Sequence, residues 1–142
     1  MDHVTQTAQA VSQTVSLELV DAEGDVTTLE ADFCYQPSDP FAVTATFKTG
    51  GGPVCWTFGR ELLVHGTYEP TGDGDVHVWP CLGADGAAVV IIELSSPEGQ
   101  VLVQASSRDM AQLVTAMLAS VPLGDEAAFV DIDRELAGLF AV

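Results

Sequence analysis

The sequence predicts an α+β domain: antiparallel β-sheets of about seven strands, with one short and two longer helices. Three observations carry this expectation. Short apolar segments, most of them alternating with polar residues at a period of two, are separated by turns rich in Gly, Pro and Asp. One segment, Met110 to Val121, instead repeats apolar residues with the spacing of an amphipathic helix. The order is four strands, a short helix, three strands and two helices, so helices follow runs of strands and do not alternate with them.

Residues 1–13 are polar and read as a loose N-terminal arm, leaving 14–142 as a single domain. Val15, Leu17 and Leu19 alternate with Ser16 and Glu18 as a first strand. After the turn Asp21-Ala22-Glu23-Gly24-Asp25, Leu29, Ala31, Phe33 and Tyr35 make its hairpin partner. Pro37 and Asp39-Pro40 break the chain. Val43, Ala45 and Phe47 then share one face of a third strand, and Gly50-Gly51-Gly52-Pro53 turns into a fourth, with Val54, Trp56 and Phe58 aligned. A short helix is expected at Arg60–His65, with Gly66 as its C-terminal cap.

The second half opens with a loop, Thr71 to Asp75, and a strand through Val76 and Val78 that ends at Trp79-Pro80. Asp85-Gly86 is a hairpin signal. Ala87 to Leu94 is almost wholly apolar, as a strand covered on both faces should be, and Val101 to Ala105 completes the meander. A helix follows from about Arg108 to Ser120. Ser106 and Asp109 resemble a capping box at its start, and Pro122 and Gly124 end it. A last helix is expected from near Asp131, with Ile132, Leu136, Leu139 and Phe140 on its apolar face. Both halves are meanders followed by helix, an architectural repeat without a sequence repeat.

The composition narrows the function. Asp and Glu number 21 against four Lys and Arg, for a formal net charge of -17. Nucleic-acid binding draws its affinity from cations that neutralise phosphates, so this chain should repel DNA, RNA and anionic membranes alike. Hydrophobic residues make up 47% without counting glycine, and the mean hydropathy is +0.27. That excess on a short chain suggests burial against a second subunit. Cys34, Cys55 and Cys81, odd in number and widely spaced, with no signal-like N-terminus, indicate a reducing cytoplasm. The longest apolar run is too short to span a bilayer.

A search for reactive chemistry yields little. No nucleophile elbow, phosphate loop or paired zinc-ligand motif is present. His65 sits at a helix end, where it complements the dipole, and His77 should face solvent between Val76 and Val78. A Cys–His pair such as Cys55 with His65 is outweighed by the structural reading of both residues. The cysteines read as small packing residues near strand ends. Asp21, Glu23, Asp25 and Asp32 have Val26 where an EF-hand needs Gly, so they read as a turn. No catalytic residue, metal or cofactor is expected. The candidate oligomer or partner contacts are Trp79 and Pro80 at a strand end and Met110, Val114 and Met117 on the helix stripe.

Several strings then add a resemblance. They are Asp39-Pro40-Phe41-Ala42-Val43 with Ala45-Thr46-Phe47; Trp56-Thr57-Phe58-Gly59-Arg60-Glu61-Leu62-Leu63; Pro70-Thr71-Gly72-Asp73-Gly74-Asp75-Val76 with Val78-Trp79-Pro80; and Leu94-Ser95-Ser96-Pro97-Glu98-Gly99. With the acidic Asp131-Ile132-Asp133 end, the sequence resembles the SsgA-like regulators of sporulation-specific cell division over most of residues 14–140. The resemblance implies a non-enzymatic, cytoplasmic protein concentrated at division septa. It implies a Whirly-like fold, a homotrimer, and partners such as the tubulin-like FtsZ or another SsgA-like protein. Two readings from other classes stand beside it. A single-stranded nucleic-acid binder would use Trp56 and Trp79 for stacking but lacks the cations. An enzyme would need a deep pocket holding a strongly perturbed acid or His.

Overall fold

Strand pairing follows the alternation in the sequence. β1 (Val11–Val20) and β2 (Val26–Tyr35) form a hairpin with Val15 opposite Ala31 and Gln13 opposite Phe33. β3 (Ala42–Thr49) adds to β2 and β4 (Gly52–Gly59) to β3, after which α1 (Arg60–Gly66) leaves the sheet. β5 (Thr71–Asp73), β6 (Val76–Leu82), β7 (Ala88–Ser96) and β8 (Gly99–Ser106) form a second meander, followed by α2 (Ser107–Ser120). A 3-10 turn at Glu126–Phe129 comes last among the residues that this computed structural model describes, 8–130. β1 pairs antiparallel with β8, Leu17 opposite Ala105, and welds the halves into one eight-stranded sheet ordered β4-β3-β2-β1-β8-β7-β6-β5.

The sheet has eight strands where the sequence suggests about seven. The extra one is β5, three residues inside Thr71 to Asp75, which alternation could not reveal because glycine and acid fill it. β1 begins at Val11, within the segment read as an arm. The helix expected from near Asp131 lies outside the described residues.

Both helices lie on one face of the sheet. On that face Phe33, Tyr35, Val43 and Ala45 of the first half, and Val78, Val90, Ile92 and Val103 of the second, are at most 1% exposed. Met110, Leu113 and Met117 of α2, and Val121 just past its end, are fully buried against them. Each contributes about 1.5–3 kcal/mol on removal from water. Ser106 caps α2 by accepting the Asp109 N–H at 3.1 Å, as the sequence suggested. β7 is buried on both faces: Val89 and Ile91, on the side away from the helices, are 7% and 8% exposed. Ile91 lies opposite Trp79 of β6 there.

Gly66 serves a different purpose from the one its position suggests. It lies inside α1, whose C-terminal cap is Thr67, and its φ is not positive. A Cβ placed there would lie 2.3 Å from Cγ1 of Val78. Glycine is required because α1 crosses β6 almost in backbone contact.

Candidate functional site

The two ends of the concave face differ. Gln13 Nε2, near the start of β1, donates to the Asp109 carbonyl of α2, and Ser120 Oγ donates to the Gln9 carbonyl. α2 therefore covers the end where β1 begins. At the end where β1 finishes, the described residues leave the face open as a groove of about 440 Å³. Its floor and walls are Leu19 of β1, Phe47 of β3, Val54 and Trp56 of β4, Leu94 of β7, and Val101 and Val103 of β8. Four strands separate β4 from β7 in the sheet, so sharing one groove requires the sheet to curl into a half-barrel.

The rim is acidic. Asp21 and Glu23 come from the β1–β2 turn and Glu98 from the β7–β8 turn. Asp21 Oδ1 accepts the Glu23 and Asp25 N–H groups at 3.0 and 2.9 Å, and Gly24 takes φ 85°. The Asp21–Asp25 segment is thus a turn, as its sequence indicated. Gly99, at φ 147°, permits the opposite turn. Below it, Gln100 bonds Glu93.

The covered end is closed by a buried arginine. Arg60, 2% exposed at the first position of α1, donates through Nη1 to the carbonyls of Val121 at 2.7 Å and Met117 at 3.3 Å. Nη2 meets Glu126 Oε2 at 3.0 Å. The guanidinium carbon lies 5.4 Å from the Tyr35 ring centroid, a cation–π arrangement. Its Nε is buried and has no hydrogen-bond partner among the described residues. The charge satisfies the end of α2, where unpaired carbonyls and the negative end of the dipole favour a cation. The hydrogen bond from Arg60 holds the Glu126 carboxyl below its usual range. Tyr35 donates to the Pro40 carbonyl at 2.8 Å, and burial pushes its hydroxyl pKa up.

The residues selected from sequence land in different places. Met110 and Met117 are fully buried between α2 and its own sheet, so the helix stripe is spent within the protomer. Val114 is half-buried at the stripe's margin. Trp79 and Pro80 are half-buried and lie within β6, not at its end as the sequence suggested, because pairing with β7 continues through Leu82; Pro80 lies opposite Val90 and Trp79 opposite Ile91. His65 lies in the last turn of α1 and bonds the Tyr68 hydroxyl through Nδ1 at 2.7 Å. His77 is exposed, as expected. The cysteines depart from the packing role: Cys55 and Cys81 are exposed and Cys34 is half-buried. Cys55 lies 3.3 Å from Thr46 Oγ1 on the convex face. Asp32 on that face accepts Thr14 Oγ1 at 2.6 Å and meets Lys48 at 3.4 Å, and these contacts, the Thr14 bond first, lower its pKa.

Sequence reasoning missed the groove and the burial of Arg60. The groove depends on which stretch of an apolar face the helices leave uncovered, and no local pattern encodes that. Arg60 had a signal: one of four cations in the chain, it stands between Phe58 and the apolar run Leu62-Leu63-Val64.

Comparison with known proteins accounts for the combination. The model of the family described as "Streptomyces sporulation and cell division protein, SsgA" matches residues 29–126. The sporulation-specific cell division protein SsgB of Streptomyces coelicolor is 42% identical over 132 residues, 92% of this chain and 96% of that protein. The SsgB of Frankia casuarinae is 37% identical, with 90% of each chain covered. A solved SsgB structure, described in terms of mutations that correlate with longitudinal cell division during sporulation of S. coelicolor, superposes with TM-score 0.79 at 40% identity, covering 88% of this chain and 98% of that one. The crystal structure of an SsgA-like sporulation-specific cell division protein from Thermobifida fusca superposes with TM-score 0.83 at 34% identity, covering 95% and 98%.

Proposed function

This chain belongs to the SsgA family of sporulation and cell division proteins, and from that premise we propose that it serves sporulation-specific cell division as a non-enzymatic, oligomeric, protein-binding scaffold. It helps position septa and recruits the division ring and septal wall machinery, with FtsZ or another SsgA-like protein as partner. It works in the cytoplasm, concentrated at septa, as a homotrimer of Whirly-like fold.

The observation that supports this reading is the pairing of an open apolar groove with a strongly acidic chain. Apolar surface left uncovered on one protomer is what a polypeptide partner covers. Among the described residues, no three ligand-type side chains converge, and no helix is long and apolar enough to cross a membrane. Trp79 and Pro80 remain the surface we assign to subunit contact, with Val114 at the helix margin.

A fluorescent fusion expressed in the source organism tests the role. The fusion gathers at sporulation septa, and a null strain forms misplaced or missing septa. A fusion that stays diffuse throughout septation would remove the recruiter reading. Light scattering on the purified protein reads the trimer directly, and a monomer across the micromolar range would discard it.

A further inference from the structure

We infer that the open groove is the docking site for a segment of a partner protein that carries two or three apolar anchor residues flanked by Lys or Arg. The inference rests on the protein-binding reading above and names the chemistry of the partner.

The shape comes first. A volume of about 440 Å³ lies within the span of roughly 300–1,000 Å³ usual for binding sites that take a few apolar groups. Val54, 44% exposed, and half-buried Trp56 stand at its mouth, and half-buried Leu19 and Val101 lie on the opposite side. An aromatic ring framed by aliphatic side chains is the composition of an anchor pocket.

Charge selects the occupant. Every ionisable group at the rim is an acid: Asp21, Glu23 and Glu98. Asp21 commits one carboxylate oxygen to its turn and keeps the other. A ligand with acidic flanks, a phosphate backbone, or a second copy of a chain carrying a formal charge of -17 would bring like charge against this rim. Lys or Arg on either side of an apolar anchor would complement it, speed encounter and make the affinity salt-dependent.

The experiment is a titration of the purified full-length protein with two synthetic peptides. One carries Leu-Phe-Leu between Lys pairs; the other carries the same anchors between Glu pairs. The emission that a Trp56→Phe variant loses, taken as the difference from the parent with Trp79 kept, is that of Trp56 and reports on the groove. The Lys-flanked peptide should shift Trp56 emission saturably, and the Glu-flanked peptide should not. The exposed-site double variant Glu23→Lys, Glu98→Lys should raise the Kd of the Lys-flanked peptide about tenfold or more and flatten its salt dependence. Val54→Glu should weaken the same peptide, with an unchanged circular dichroism spectrum showing that the fold persists. The inference is overturned if both peptides bind alike, if the double reversal leaves Kd unchanged, or if neither peptide binds. It is equally overturned if light scattering shows self-association that Val54→Glu abolishes, since a second copy then fills the groove. A fusion that gathers at septa beside a groove indifferent to peptide defeats only this inference; a diffuse fusion defeats the scaffold reading.

Discussion

One apolar face of the sheet has two fates. Along β4, side chains on that face go from 7% exposed at Phe58 to half-buried at Trp56 to 44% exposed at Val54. Along β1, Val15 and Leu17 are sealed at 1% and 3%, and Leu19, two residues further on, is half-buried. The alternating pattern is the same throughout, so the difference lies in what covers it. Helix α2 and the Arg60 junction cover one end. At the other, among the described residues, Asp21, Glu23 and Glu98 stand with Thr49, Ser96 and Gln100 around the apolar floor. The covered end supplies stability, and the open end holds surface that a monomer gains nothing by exposing. A protein that binds other proteins needs both: a rigid wall and an unfinished core.

This contrast makes a graded set of expectations, with the largest at the covered end. Arg60→Ala removes the cation that holds Met117, Val121 and Glu126 together. Loss of one partner from a buried ion pair costs about 3–5 kcal/mol. Urea denaturation should show that loss, and Arg60→Met, which restores apolar volume without a charge to satisfy, should recover part of it. If Arg60→Ala is nearly neutral, the junction is not what closes this end. Next comes Gly66→Ala. The added methyl meets the Val78 side chain, and overpacking of this kind costs about 1–3 kcal/mol. A thermal shift should read it.

Acid titration is the third and weaker lever, because it leaves the Arg60–carbonyl bonds in place. Glu126 is held below its ordinary value of 4.5, chiefly by Arg60, and Asp32 below its ordinary 3.8, chiefly by Thr14. A carboxyl with a lowered folded-state pKa lends stability that is fully present above the ordinary value and is lost as pH falls through the lowered one. Stability should therefore decline as pH falls below about 4.5. Chemical denaturation across pH 3–7 should show Glu126→Gln less stable than the parent at neutral pH, with a shallower acid limb.

Much of the fold was legible because it rests on local rules. Period-two alternation, with the apolar run Ala87 to Leu94, located seven of the strands, and the stripe Met110, Leu113, Met117, Val121 located α2 on its buried face. Thr71–Asp73 was not legible, because a short edge strand of glycine and acid has no face to bury. Gly66 was placed at the right helix end for the wrong reason, since the signal for a C-cap and for a close helix–strand crossing is the same residue. The candidate site was less legible. Apolar spacing marked Met110 and Met117 as a stripe, but spacing cannot say whether a stripe meets its own sheet or a partner. Conversely alternation aligns Val54 and Trp56 with Phe58 but cannot tell groove from core, because only the curl of the sheet and the reach of α2 leave them at an open mouth. The family was readable from strings spread along the chain, which survive where no single pocket does.

The smallest expected effect on stability belongs to the open end, and it is the one that most sharpens the contrast. Val54→Glu places a charge on an edge strand at a position 44% exposed. Charged residues on edge strands are tolerated and discourage unwanted strand pairing. The folding free energy should therefore move by no more than about 0.5 kcal/mol, measured by the same urea titration as Arg60→Ala. In the source organism the variant should nonetheless impair septation, because the charge sits in the groove we propose as the docking site. A variant that folds like the parent and divides like the null would separate the two ends by function. One that loses several kcal/mol would mean the groove is structural core, and the division into a covered and an offered end would collapse.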